Sequence, residues 1–114
     1  MVNYNKYHAK KTEIDGITFD SRKEANRYAV LKILEKGKLI SQLKLQVKFE
    51  ILPKTENKFG QKTTAVNYIA DFFYFDEEKQ HYVAEDVKGV RTPLYKLKRK
   101  MMIFNYPHIE FRET

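Results

Sequence analysis

Asp86 and Lys88 stand two residues apart in HYVAEDVK, a segment whose composition suits a β-strand. Side chains alternate across a strand, so the two project from one face, with Glu85 and Val87 on the other. Asp71 lies near the middle of the preceding strand-like segment, TTAVNYIADFFYF, beside Ile69 and Phe73, where a carboxylate is otherwise out of place. Burying an unpaired carboxylate costs several kcal/mol, so it calls for a cation or dense hydrogen bonding. A hairpin centred on the intervening DEEKQ turn sets Asp71 directly opposite Asp86, with side-chain carbons about 5 Å apart. Facing carboxylates repel unless something positive lies between them. Mg2+ fits, because one or two carboxylates hold it while phosphate and water fill its other positions. Plainer answers exist for the same residues: a hydrogen-bonded structural pair of Asp71 and Asp86, or Lys88 acting only as their ion-pair partner.

The surrounding elements follow from pattern. KTEIDGITF is a small hairpin whose Asp15-Gly16 suits a type I′ turn. DSRKEANRYAVLKILEKGK is a helix with Ser21 as N-cap and an apolar stripe of Ala25, Tyr28, Leu31 and Leu34; Gly37 ends it. Ser21-x-x-Glu24 is also a capping box, which needs no metal. LKLQVKFEI alternates strictly, predicting Leu43, Leu45, Val47, Phe49 and Ile51 on one face of a half-buried strand that Pro53 stops. ENKFGQK is turn chemistry. The strand holding Asp71 is apolar on both faces in its latter half, which predicts a central place in the sheet. After Pro93 a helix carries Leu94, Leu97, Met101 and Phe104 at helical spacing, Pro107 ends it, and HIEFRE supplies a last strand. The order is helix, three strands, helix, strand: an α/β sandwich.

A chain of 114 residues supports a single domain, 1–114, with one core. Its 42% hydrophobic content, with eight Tyr and eight Phe, excludes global disorder. With no cysteine there is no disulfide framework and no thiolate metal site. His8, His81 and His108 lack zinc-site spacing. Residues 1–10, polar and basic, are expected to form a flexible arm. Apolar runs are too short to span a bilayer and no secretory segment follows Met1, so a soluble, cytoplasmic protein is expected, without membrane or small-molecule cofactor. Net charge is +7, distributed in blocks. Residues 71–86 hold six acids against one lysine, whereas 88–108 hold six basic residues and no acid. A basic excess favours a polyanionic partner, although a basic helix is often only a solvated face. An acidic cluster inside it suits a site that holds a divalent cation against phosphate.

YIAD at 68–71 followed by EDVKG at 85–89 resembles the PD-(D/E)XK nuclease signature, with an Asp on one strand and an acid-x-Lys on the next. Glu24 in FDSRKEANRY matches the helical Glu of many members. Ala70 stands where Pro is common, and Asp86 is the shorter acid of the acid-x-Lys pair. Over roughly residues 6–111 the chain more closely resembles a small phage-encoded family of unknown function grouped with Holliday junction resolvases. The resemblance implies a restriction-endonuclease-like core with a mixed central sheet. It further implies a Mg2+-dependent DNA endonuclease (Mn2+ also serving) acting on branched DNA, working as a homodimer in the host cell cytoplasm.

On that reading Asp71 and Asp86 hold the metal with a carbonyl at Val87, Glu24 completes the shell, and Lys88 positions or deprotonates the attacking water. Lys6, Lys10 and Lys11, with Arg91, Thr92, Lys96, Lys98, Arg99 and Lys100, hold backbone phosphates. The rival from another class is a non-catalytic nucleic-acid-binding module. It would keep the basic helix with no need for Asp71, Asp86 and Lys88 together. An enzyme of the same superfamily cutting linear or damaged DNA would share every one of these residues.

Overall fold

The computed structural model describes residues 11–87 and 89–114. Lys6, Lys10 and Lys88, and the expected arm over 1–10, lie outside the described residues. The chain forms β1 (Thr12–Ile14), β2 (Ile17–Phe19), α1 (Arg22–Lys36), β3 (Ile40–Leu52), β4 (Thr55–Glu56), β5 (Lys62–Thr63), β6 (Val66–Asp76), β7 (His81–Asp86), α2 (Pro93–Asn105) and β8 (Ile109–Glu113). It is a mixed α/β fold around a four-stranded sheet of order β3-β6-β7-β8. The β3–β6 and β6–β7 pairs are antiparallel and β7–β8 is parallel, which makes the sheet mixed as expected. Antiparallel pairs need only a turn, whereas the parallel β7–β8 pair needs a crossover, and α2 supplies it. Among the described residues no helix is long and apolar enough to cross a membrane.

One helix covers each side of the sheet. Ala25, Tyr28 and Leu31 of α1 pack with Phe72, Tyr74 and Val83, and the β1–β2 hairpin adds Phe19 to that core. Tyr95 and Met102 of α2 pack with Phe49, Ile51, Tyr68, Ala70 and Ala84. Val83 and Ala84 adjoin on one strand yet serve different cores, as alternation requires. The hairpin forms on Asp15 and Gly16, both with positive φ (54° and 74°), the signature of the I′ turn expected there.

Two periodic expectations change. The strict alternation along β3 predicts one apolar face, but Leu43 and Leu45 join the α1-side core while Val47, Phe49 and Ile51 join the α2-side core. The changeover falls at Gln46, whose φ of 53° is left-handed. β6 changes over at the facing position: Tyr68 and Ala70 serve α2, Phe72 and Tyr74 serve α1. Asp71 sits at that break, and the register on either side of it is unshifted. The second correction concerns α2. Of its predicted stripe of Leu94, Leu97, Met101 and Phe104, Met101 packs against the core while the other three are exposed, and the buried line is Tyr95 and Met102. Aromatic Tyr95 reaches Glu113 with its hydroxyl while its ring fills the core, so the helix is rotated toward that residue.

Candidate functional site

The β6–β7 pairing has the expected register, with Phe72 opposite Glu85, and one step further stand Asp71 and Asp86. There the backbone ladder stops and carboxylates take over its hydrogen bonds. Asp71 N–H donates to Asp86 Oδ1 (3.2 Å) and Val87 N–H donates to Asp71 Oδ2 (2.9 Å). Each aspartate thus satisfies a backbone donor of the opposite strand where the strands part. Asp86 is fully buried, while Asp71 is half-buried.

Glu24 arrives from the first turn of α1. Ser21 Oγ accepts its N–H (3.1 Å), and its carboxyl lies within reach of the Asp20 N–H (3.4 Å). Capping and site geometry therefore coincide, because the third helical residue of a capped turn is the one whose side chain bends back over the helix end. From there Glu24 faces Asp71. Burial first, and the nearby Asp71 second, push the Glu24 carboxyl up to about 8.

Gln46, which alternation had placed on a solvent face, completes this group: its Nε2 donates to Asp71 Oδ1 (3.4 Å). The left-handed backbone at Gln46 is the local irregularity of β3 at this point, and strained non-glycine residues gather at functional sites. Periodicity could not have found it. Glutamine carries no sequence mark for positive φ, unlike the Asp-Gly of the hairpin.

Glu85, next to Asp86, has entirely different surroundings. It too is fully buried, and it accepts from both Arg27 Nε and Arg27 Nη2 (3.0 Å for the latter). Tyr74 Oη (2.6 Å) and Thr114 Oγ1 (3.0 Å) donate to it as well. It points to the other face, as alternation predicts, and is structural rather than solvated. Arg27 is one turn beyond Glu24 on α1, so this ion pair fixes the helix that carries Glu24.

The residues expected to hold phosphate differ in their surroundings. Lys11, Lys96 and Lys100 are exposed. Thr92 caps α2, its Oγ1 accepting the Tyr95 N–H (3.1 Å), so its hydroxyl is engaged locally. Arg91 pairs with Glu113 (3.2 Å), and Arg99 lies 3.6 Å from the same carboxylate with its guanidinium 5.3 Å from the Phe111 ring centroid. Lys98 is half-buried.

Among the described residues no three Asp, Glu, His or Cys side chains already stand around one point as metal ligands would. The carboxyl groups are turned onto one another and onto backbone N–H groups instead. The donor set itself suits a hard cation: hard oxygens from Glu24, Asp71 and Asp86, with the Val87 carbonyl adjoining. The burial and the neighbouring acid that raise the Glu24 carboxyl to about 8 are conditions that a divalent cation would relieve.

Comparison with curated proteins and with solved structures finds no match for the chain. A protein family described as of unknown function, DUF1064, matches residues 4–113. The fold and the carboxyl cluster described above both lie within that span, and the chain belongs to this family.

Proposed function

We propose that the protein is a Mg2+-dependent DNA endonuclease with a restriction-endonuclease-like core, acting on branched DNA. One observation carries this reading: carboxyl groups from α1, β6 and β7 meet where the β6–β7 ladder ends, at a break in both β3 and β6. A purely structural use of Glu24 would face it with strong donors, as the fold does for Glu85. Here Glu24 faces another acid, an arrangement that lowers stability and gains its use from a cation.

Glu24, Asp71 and Asp86, with the Val87 carbonyl, would hold the ion. When bound, it would polarise the phosphate and lower the pKa of the attacking water. The protein's own contributions are positional. The N–H of Asp71 fixes Asp86, the N–H of Val87 and the Gln46 amide fix Asp71, and the Arg27–Glu85 pair fixes α1 and hence Glu24. Lys88, two residues beyond Asp86, would orient or deprotonate the water. Lys11, Lys96 and Lys100 would meet backbone phosphates, contacts that position DNA without reading sequence. Resolving a junction takes two cuts, which calls for a two-fold homodimer.

The test incubates the protein with a four-way junction, duplex and single-stranded DNA, with and without Mg2+. Cleavage of the junction that needs the metal and disappears in Asp86→Asn is the expected result. DNA binding without cleavage under every condition would favour the non-catalytic binding module instead.

A further inference from the structure

β3 and β6 continue past the carboxyl cluster into an exposed hairpin that no other element among the described residues covers. Residues 53–65 are exposed throughout, and within them β4 pairs with β5. A segment with no core contacts is expected to be loosely shaped, yet the tip of this one is built. Asn57 Oδ1 accepts the N–H groups of Phe59 (2.9 Å) and Gln61 (3.1 Å), and its Nδ2 donates to Gln61 Oε1 (2.8 Å). Backbone bonds from Asn57 N–H to Gln61 O and from Gly60 N–H to Asn57 O close the turn. Gly60 takes the positive φ of 78° that the turn requires.

What this fixed turn presents is Phe59, 75% exposed at the apex. The Lys58 ammonium lies 5.2 Å from the ring centroid. Lys54, Lys58 and Lys62 set the charge of the hairpin, against the single acid Glu56. A lone phenyl ring offers too little apolar area to hold a bilayer. An aromatic face among lysines is instead the pairing that single-stranded nucleic acid takes, bases on the ring and phosphates on the cations. The tip also lies on a continuous path to the cluster. From Asp71 the extended chain reaches at most ~40 Å to it, and along that path Lys48 and Ile69, paired across the sheet, are both exposed.

We propose that the β4–β5 hairpin is a second nucleic-acid contact, in which Phe59 stacks on an unpaired base of a single-stranded DNA segment while Lys54, Lys58 and Lys62 meet its phosphates. This rests on the nuclease reading only in taking DNA as the partner. The chain has no tryptophan, so Phe59→Trp places a unique fluorophore at the tip. With EDTA present, titration with a single-stranded oligonucleotide should quench that tryptophan at least twofold. Phe59→Ala should weaken binding about tenfold, with the salt dependence unchanged because no charge is lost. Fully paired duplex and heparin, which expose no base face, should leave the tryptophan unchanged. Binding of the oligonucleotide with a silent tryptophan, no binding at all, or an equal response to heparin or to phosphatidylserine vesicles would overturn the proposal. Junction cleavage with Mg2+ is scored separately. Cleavage with a silent tryptophan sinks the hairpin contact alone, and quenching without cleavage sinks the nuclease alone.

Discussion

Glu85 and Asp86 are neighbours in the chain, both fully buried, and the fold treats them in opposite ways. Around Glu85 it assembles a guanidinium and two hydroxyls, four donated hydrogen bonds in all. The Arg27 pKa is raised accordingly, chiefly by its hydrogen bond to Glu85. Asp86 instead shares the end of the ladder with Asp71, which faces Glu24, an acid whose proton is retained to about 8. Burial alone therefore does not distinguish a structural acid from a functional one. The distinguishing feature is whether an acid faces a cationic donor, as Glu85 faces Arg27, or a second acid, as Glu24 faces Asp71. A fold selected for stability alone would resolve the Glu24–Asp71 contact as it resolves Glu85, and that it does not is what supports the proposed cation site.

The largest predicted effect is on the acidic side of this comparison. Asp86→Asn keeps the side chain's size and its acceptor for the Asp71 N–H, so the fold should survive. Cleavage should fall ~10²–10⁴-fold, as for a lost catalytic group. Melting temperature in EDTA should stay level or rise, since one negative charge leaves an acidic cluster. A variant that cuts normally would break the comparison at once.

Next in size is the opposite substitution. Glu85→Ala strands Arg27 and removes the acceptor shared by Tyr74 and Thr114, and should destabilise by about 3 kcal/mol or more. Urea unfolding measures it. If Glu85→Ala costs less than Asp86→Asn in EDTA, the assignment of structural and functional acids is reversed.

The third prediction is a pH dependence. Glu24 has a folded-state pKa raised to about 8 from an ordinary value near 4.5. Between those values the unfolded chain releases a proton that the folded protein keeps, so stability falls as pH rises. The contribution is fully present below about 4.5 and lost by the time pH passes about 8. In EDTA, thermal unfolding across this window should lose a few kcal/mol, and Glu24→Gln should flatten the curve. Saturating Mg2+ should flatten it too, by displacing the proton from Glu24. A wild-type curve already flat in EDTA would remove Glu24 from the site.

Much of this was legible beforehand. Asp15-Gly16, the Ser21 cap and the position of the DEEKQ turn are local signals, and they fixed the hairpin, the start of α1 and the Phe72–Glu85 register. From that register the meeting of Asp71 with Asp86 followed. What periodicity misjudged was orientation. Leu94, Leu97, Met101 and Phe104 form as good a stripe as any core helix shows, but of these only Met101 reaches the core, and Tyr95 and Met102 fill the space left by Tyr68, Ala70 and Ala84. Tertiary volume settles that choice, and no window of α2 contains it. Likewise, Leu43 to Ile51 alternate without a fault because the reversal at Gln46 is a backbone rotation that leaves the pattern of residue types intact.

That rotation supplies the smallest prediction. In an ordinary strand position glycine costs roughly 0.5–1 kcal/mol through backbone entropy. At Gln46 the φ of 53° already carries a left-handed penalty of roughly 1–2 kcal/mol for a residue with a Cβ. Gln46→Gly relieves that penalty while adding the entropy cost, so its net effect on stability should lie near zero or be slightly favourable. Lys48→Gly, two residues along the same strand, is exposed and has no penalty to relieve, so it should cost the ordinary amount. The two variants should therefore differ by about 1 kcal/mol in urea unfolding, with Gln46→Gly the more stable. Cleavage should move the other way, because only Gln46→Gly removes the amide that holds Asp71 Oδ1. A stability gain coupled to an activity loss at one residue is the mark of strain kept for function. Equal stability for the two glycine variants would mean that the left-handed turn at Gln46 is not strained, and the acidic end of the molecule would then rest on its carboxyl groups alone.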